Sequence, residues 1–544
     1  MSREETELRA AIDRIIRSAS RRKLVVAGPG TGKTTLFKMV LQARGGDPDS
    51  HLVLTFINNL KNDLELRLKD HAKIFTLHGY CMGLLHRHAK LRVGLSSDFR
   101  CLPGLASIIR SDWRYLRGSE PPHFVQEMRN LAETDHLAFY LTRGNYYDAV
   151  DFDDSVYRTY TQLFSRPELI PNYDLVLIDE YQDFNRLEAS FIDLLAGRSP
   201  ILIAGDDDQA LYSQLRDSSW DYIRSLHRGG DFEVFELPFC MRCPKVVVDA
   251  VNDVISRAQR IRKLDGRIQK QYRHFPPTKA ADSQRYPTIA LISTTVQRQS
   301  ANYMGRYIEH AIAQIPAEEV EVAKAAGFPP ILVIAANPYR NQIIEHLESR
   351  GHIVDTKRDR VESLNRNVGL QILKESPASN RGWRVVLEDE AAGFVAGIIA
   401  DTGDGTPLIE LLPEDYCQRI LAEAEACSLY PEDEAGSITG DAGNGEAVKV
   451  TSFEGAKGLS AQHVFIAGLH DGEIPRNPRD IRDIEICRFV VGLTRTRKKC
   501  SLLYTHRFAG QLKAPSSFLS WIKPVRIERI HVDAQYFKEN VVLE

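Results

Sequence analysis

The run LVVAGPGTGKTT at residues 24–35 carries the residue types that hold a triphosphate. Gly28, Gly30 and Gly32 let backbone N–H groups converge on phosphate oxygens, and Lys33 reaches the β and γ phosphates. The Thr34 hydroxyl suits Mg²⁺, although Ala27 stands where this P-loop pattern usually begins with glycine. A second run, DLVLIDEYQDFN (174–185), delivers Asp179 and Glu180 at the end of an apolar stretch. Asp179 can hold Mg²⁺ through water while Glu180 takes a proton from the attacking water, since one carboxylate cannot easily do both. The pair implies hydrolysis. A rival reading gathers Asp179, Glu180, Asp183 and the run Asp206, Asp207, Asp208 into a two-metal nuclease centre. It is disfavoured because the P-loop already provides triphosphate and Mg²⁺ ligation. A third run, LPFCMRCP (237–244), sets Cys240 and Cys243 around Arg242. A lone CxxC is a weak metal signal, because a zinc site needs four ligands and no second pair follows at finger spacing.

These residues need strands to carry them. Apolar runs recur at 24–27, 52–55, 174–178 and 201–204, then at 288–293, 331–336, 463–468 and 501–504, separated by helix-like segments. Such runs suit strands buried on both faces of a parallel sheet, and two α/β lobes fit best. Lobe one is expected at 1–91 and 169–236, with a helical insertion at 92–168; lobe two is expected at 237–364 and 448–544. A reduced insertion of lobe two takes 365–447 and closes on YPEDEAGSITGDAGNGEA (430–447), an acidic, Gly-rich linker. At 544 residues the chain is longer than one core usually serves.

Hydrophobic residues make up 43% and charged residues 26%, and no apolar run reaches the roughly 18 residues of a membrane span. The charged N-terminal segment lacks the apolar core of a signal peptide, and the eight cysteines are scattered, so reduced thiols in the cytoplasm are expected. A net charge of -3 excludes a histone-like basic protein and confines any nucleic-acid contact to local patches. RRK (21–23), HRHAKLR (86–92) and RTRKK (495–499) are candidate phosphate contacts, with a solvated basic face at least as good a reading for the first two.

ILIAGDDDQALYS (201–213), taken with AGPGTGKT and DEYQDFN, closely resembles the UvrD, Rep and PcrA group of superfamily-one helicases. TFINNL (55–60), TLHGY (76–80), Arg242 after Leu237, GAKGL (455–459) and VGLTRTR (491–497) follow in the family's order, so the resemblance spans residues 24–497. It implies two RecA-like lobes with ATP and Mg²⁺ between them and single-stranded DNA crossing both, although an RNA track stays open. By resemblance, Gln209 senses the γ phosphate, while Arg242 and Arg495 reach over from lobe two as arginine fingers. The cysteines then pack around a finger. Phe56, Asn58, His78 and Tyr212 fall where the family places contacts to single-stranded DNA.

Departures from the family gather around the nucleoside. Met241 replaces the aromatic that stacks on adenine, Ser460 replaces a ribose-side Glu, Thr35 stands where an Arg is common, and no Gln precedes the P-loop at the usual spacing. Gln214 and Leu215 occupy the places of a base-stacking Trp and an Arg, and Trp220 is a candidate substitute. The resemblance implies an ATP-dependent, 3′ to 5′ translocase or helicase. The alternative is a nucleotide-gated, nucleic-acid-sensing subunit that controls a partner such as a nuclease without processive unwinding. Compact UvrD-like proteins also occur beside a nuclease in phage-defence systems such as Gabija.

Overall fold

A computed structural model describes residues 1–56, 58–212, 216–298, 301–356, 364–427 and 447–540. Its first lobe is built on strands β1 (Arg22–Ala27), β2 (His51–Thr55), β3 (Lys73–Thr76), β4 (Leu175–Ile178), β5 (Ile201–Gly205) and β6 (Glu233–Leu237). They form one parallel sheet in the order β3-β2-β4-β5-β1-β6. Alternate residues of each strand enter opposite cores. Leu24 and Val26 pack with Leu52, Leu54 and Ile178 on one face, while Val25 and Ala27 pack with Val53, Leu36 and Phe37 on the other. Because both faces are covered, the strands read as unbroken apolar runs.

The second lobe repeats this logic with β7 (Ile289–Thr294), β8 (Ile331–Ala335), β9 (Val354–Asp355), β10 (Val448–Thr451), β11 (Ala461–Ala467), β12 (Thr496–Thr505) and β13 (Ile527–Val532). The order is β9-β10-β8-β11-β12-β7-β13, again parallel throughout. Two α/β lobes, each with its P-loop-type parallel sheet, make this a pair of RecA-like units. The crossovers place loops at the ends of strands, so the loops before β8, β11 and β12 all reach the neighbouring lobe's nucleotide loop.

The insertions differ from the expected partition in two ways. Helix Phe152–Ser165, inside the stretch assigned to the first insertion, packs its Val156 and Leu163 into lobe one beside Leu84, Leu85 and Phe191. The remaining helices of both insertions share one core: Leu105, Ile109 and Tyr147 from the first pack with Leu370, Trp383 and Ile420 from the second. Sequence periodicity marks a helix's apolar face and says nothing of which distant helix will cover it. Since one insertion grows from each lobe, this common core ties the lobes together outside the cleft lined by residues 28–35.

Asp112 sits at the centre of that union, fully buried. It accepts from Arg143 Nε at 2.8 Å, from Arg384 Nε at 2.8 Å and from the Tyr147 hydroxyl at 2.5 Å. Arg384 is also fully buried, so each charge depends on its partner for solvation. Asp112→Ala takes the carboxylate from two guanidinium groups in an apolar setting and is expected to cost about 3–5 kcal/mol. Denaturant titration checks this; a stability within about 0.5 kcal/mol of wild type, the scatter of ordinary surface substitutions, would refute it.

Candidate active site

The Gly-rich loop leaves β1 and feeds the helix Lys33–Arg44. Gly30 and Gly32 have φ of 72° and 90°, a left-handed backbone that disfavours any side chain. Space excludes one as well. A Cβ on Gly30 would lie 2.5 Å from Arg242 Cβ, and one on Gly32 would lie 2.3 Å from Met241 Cε. The 239–243 segment of lobe two therefore lies directly on the loop, and Met241 N–H donates to Gly30 O at 2.9 Å. Tyr272 covers Gly28 and donates its hydroxyl to Pro29 O at 3.1 Å, while the Thr31 hydroxyl donates to Gly28 O at 2.9 Å. The loop is thus held from both sides.

Asp179 and Glu180 follow β4, both buried. Glu180 adopts φ 53°, a strained conformation for a non-glycine residue that aims its carboxylate at the loop. Lys33 Nζ lies 2.9 Å from Glu180 Oε1, and Gln182 Nε2 donates to Glu180 Oε2 at 2.5 Å. Burial opposes the charged form of Glu180, but Lys33 and Lys457 overcome it and hold its pKa below the usual carboxylate range. Asp179 is pushed up to about 7, by burial first and by the Glu180 charge second. It is a buried oxygen donor short of positive charge. With the half-exposed Thr34 hydroxyl nearby on the same cleft, this hard oxygen set fits Mg²⁺.

Lobe two faces these groups with cations. A cleft of about 490 Å³ is lined by the Gly28–Thr35 loop, Asp179, Glu180 and Gln209 from lobe one, and by Arg242, Lys457, Arg495 and Arg497 from lobe two. Lys457 bonds to Asp183 and donates to Gln209 O at 2.6 Å. Arg495 Nη2 donates to Gln209 Oε1 at 3.2 Å, and Gln209 Nε2 donates to Asp206 Oδ2 at 2.8 Å. Gln209 is therefore a relay between the two lobes. Arg242 Nη1 donates to Thr494 O at 3.2 Å, and both arginines line the cleft that contains Lys33. Cys240 and Cys243 are spent on the same turn: Cys240 Sγ accepts from Cys243 N–H at 3.4 Å, and Cys243 Sγ donates to Thr494 O at 3.6 Å.

The nuclease reading loses its ligands. Asp206, Asp207 and Asp208 do converge, but the Lys270 ammonium sits among them at 2.7, 2.9 and 2.7 Å. Arg267 binds both Asp208 oxygens at 2.7 Å and Arg224 binds Asp207 at 2.9 Å. Protein cations hold the place that metals would take. Arg267 and Lys270 are carried by segment 264–270, which runs from Leu264 in the lobe-two core to Ile268 in the lobe-one core, so the acidic run serves as an interlobe clasp.

Of the residues matched to DNA contacts, Phe56 is only 3% exposed and packs against Tyr212 and Phe184, with the Arg216 guanidinium 4.5 Å above its ring. His78 lies beneath the same Arg216, 3.0 Å from it, and burial, then Arg216, pushes its pKa down to about 3, so it is neutral. Tyr212 donates its hydroxyl to Glu454 O at 3.2 Å, across the lobe boundary. In this arrangement Arg216 covers Phe56 and His78. The Asn58 side chain, Gln214 and Leu215 lie outside the described residues. Trp220 packs on Arg224 at 5.4 Å.

Two of the three basic runs bond backbone carbonyls, the second of them on an exposed surface. Lys23 Nζ caps the carbonyls of Ile15 and Ser18, and Arg21 donates to Arg198 O. In the second run Arg87 and Arg92 donate to Gly83 O and His86 O. The third run places Arg495 and Arg497 in the cleft. Lys270, Tyr272 and Phe328 were not singled out by sequence reasoning; no local motif announces a lysine whose partners lie about sixty residues away.

A phosphate loop on one parallel sheet, met by cations from the edge of a second, defines a two-lobed P-loop nucleotide-binding protein. Residues 9–214 match the AAA_19 family, described as an AAA domain. Across 626 residues the chain is 23% identical to DNA helicase II of Escherichia coli, covering 94% of this chain and 86% of that protein. It is 25% identical over 276 residues to the ATP-dependent DNA helicase PcrA of Staphylococcus aureus, covering 43% of this chain. That match spans 37% of the PcrA length. The chain is homologous to these proteins of the UvrD family.

Proposed function

We propose that this chain is an ATP-dependent motor on single-stranded DNA that couples hydrolysis between two RecA-like lobes to movement, with the 3′ to 5′ polarity of the helicases it resembles. The observation that carries this reading is the cleft itself, where Arg242, Lys457 and Arg495 of lobe two face Lys33, Asp179 and Glu180 of lobe one. Lys33 and the loop N–H groups hold the β and γ phosphates. Thr34 and Asp179 would hold Mg²⁺, which when bound neutralises charge on the phosphate oxygens. Glu180 accepts the proton of the attacking water, and Arg242 and Arg495 stabilise charge that develops on the transferred phosphoryl group. Gln209, bonded to Arg495, passes the change at the γ phosphate to Tyr212 and the track surface three residues on.

Hydrolysis of ATP, GTP and CTP with and without single-stranded DNA or RNA tests this. Stimulation by single strands is expected, with the three nucleotides within about a hundredfold of one another, because phosphate rather than base edge dominates the site. Identical rates with and without nucleic acid would sink the motor. A second reading is supported by the cover over Phe56 and His78 and by the fused insertions: a nucleotide-gated sensor that controls a partner such as a nuclease. Unwinding of a 3′-tailed duplex separates the two, since the sensor turns over nucleotide and unwinds nothing.

A further inference from the structure

Met241, the replacement for a base-stacking aromatic, has its terminal methyl against Gly32. The cleft offers a base other side chains. Three of its lining residues come from places that the phosphate chemistry does not use: Leu66 on helix Asn58–Leu68, Phe328 in the loop before β8, and Arg497 at the start of β12. Leu66 is 80% exposed, an apolar side chain presented to the cleft. Phe328 is half-buried and its ring lies 3.9 Å under the Arg497 guanidinium. Arg497 is itself anchored, its Nε donating to Ser460 Oγ at 2.9 Å, so the ring is backed by a fixed planar cation.

We infer that Phe328, backed by Arg497 and sharing the cleft with Leu66 of the other lobe, is the stacking wall for the base of the bound nucleotide. This rests on the proposal that the cleft takes nucleoside triphosphates. An aromatic face recognises a base by its π surface and not by its edge, which suits all four bases. It also makes base binding a lobe-spanning event. Leu66 belongs to lobe one and Phe328 to lobe two, so a base stacked in the cleft joins the lobes. Arg497 is a positioning residue here: it orients the ring and Ser460.

Calorimetric binding of non-hydrolysable ATP and CTP analogues and of inorganic tripolyphosphate, with Mg²⁺, to wild type, Phe328→Ala and Phe328→Trp tests the wall. Phe328→Ala is expected to weaken both analogues about tenfold and leave tripolyphosphate unchanged, with Phe328→Trp restoring the analogues. Unchanged affinity in Phe328→Ala, or an equal loss for tripolyphosphate, overturns the inference while leaving the nucleotide reading standing. Failure of wild type to bind any of the three overturns both.

Discussion

Arg495→Ala is expected to slow nucleotide hydrolysis by about 10³- to 10⁵-fold, the range over which a missing arginine finger is felt in phosphoryl transfer. The side chain is buried in the lobe boundary and donates to carbonyl, hydroxyl and amide oxygens: Val491 O, Leu459 O, Thr494 Oγ1 and Gln209 Oε1. No carboxylate is hydrogen-bonded to it among the described residues. Burial, then the neighbouring Arg242 charge, pushes its pKa down to about 9. A guanidinium placed under that stress gains most when an anion arrives, and gains more still as charge builds on the phosphoryl oxygens. The loss should therefore appear in the rate constant and only slightly in affinity. Single-turnover hydrolysis alongside nucleotide titration reads both. A rate within tenfold of wild type would remove Arg495 from the chemistry and leave it as a lobe-packing residue.

Glu180→Gln is expected to cut hydrolysis by about 10²- to 10⁴-fold, the usual contribution of a positioned general base, while nucleotide binding holds or tightens. The second half follows from the ion pair. Lys33 now spends its charge on Glu180 at 2.9 Å, and an arriving triphosphate must break that contact. The amide keeps the shape and one acceptor oxygen but drops the charge, so Lys33 is released to phosphate. Weaker binding in Glu180→Gln would show instead that the carboxylate orders the loop, and hydrolysis near the wild-type rate would move the base elsewhere.

That the Gly28–Thr35 loop and the Asp179–Glu180 pair would line one cleft was legible because the chemistry proposed for them demands contiguity. Backbone N–H groups can converge on a phosphate only from a short glycine-bearing turn, and a P-loop lysine and hydroxyl must follow that turn at once. The same holds for Asp179 and Glu180, delivered side by side from one strand end. The parallel sheets were legible too, because burial on both faces turns a strand into an unbroken apolar run. What could not be read were pairings across distance. The Asp206–Asp208 run looks like metal ligation until Lys270 and Arg267 occupy it, and those cations lie in a segment with no motif of its own.

The amino-acid order by itself determined the two-lobed α/β plan and the motif residues that line the cleft, because both depend on neighbours within a strand or a turn. Only the tertiary structure decided that the two insertions share a core around Asp112, that Arg216 covers Phe56 and His78, and that Phe328 lies under Arg497 in the cleft. Each of these is a contact between residues far apart along the chain. A buried charge or an aromatic face acquires its meaning from what desolvates and opposes it, and that partner is chosen by packing.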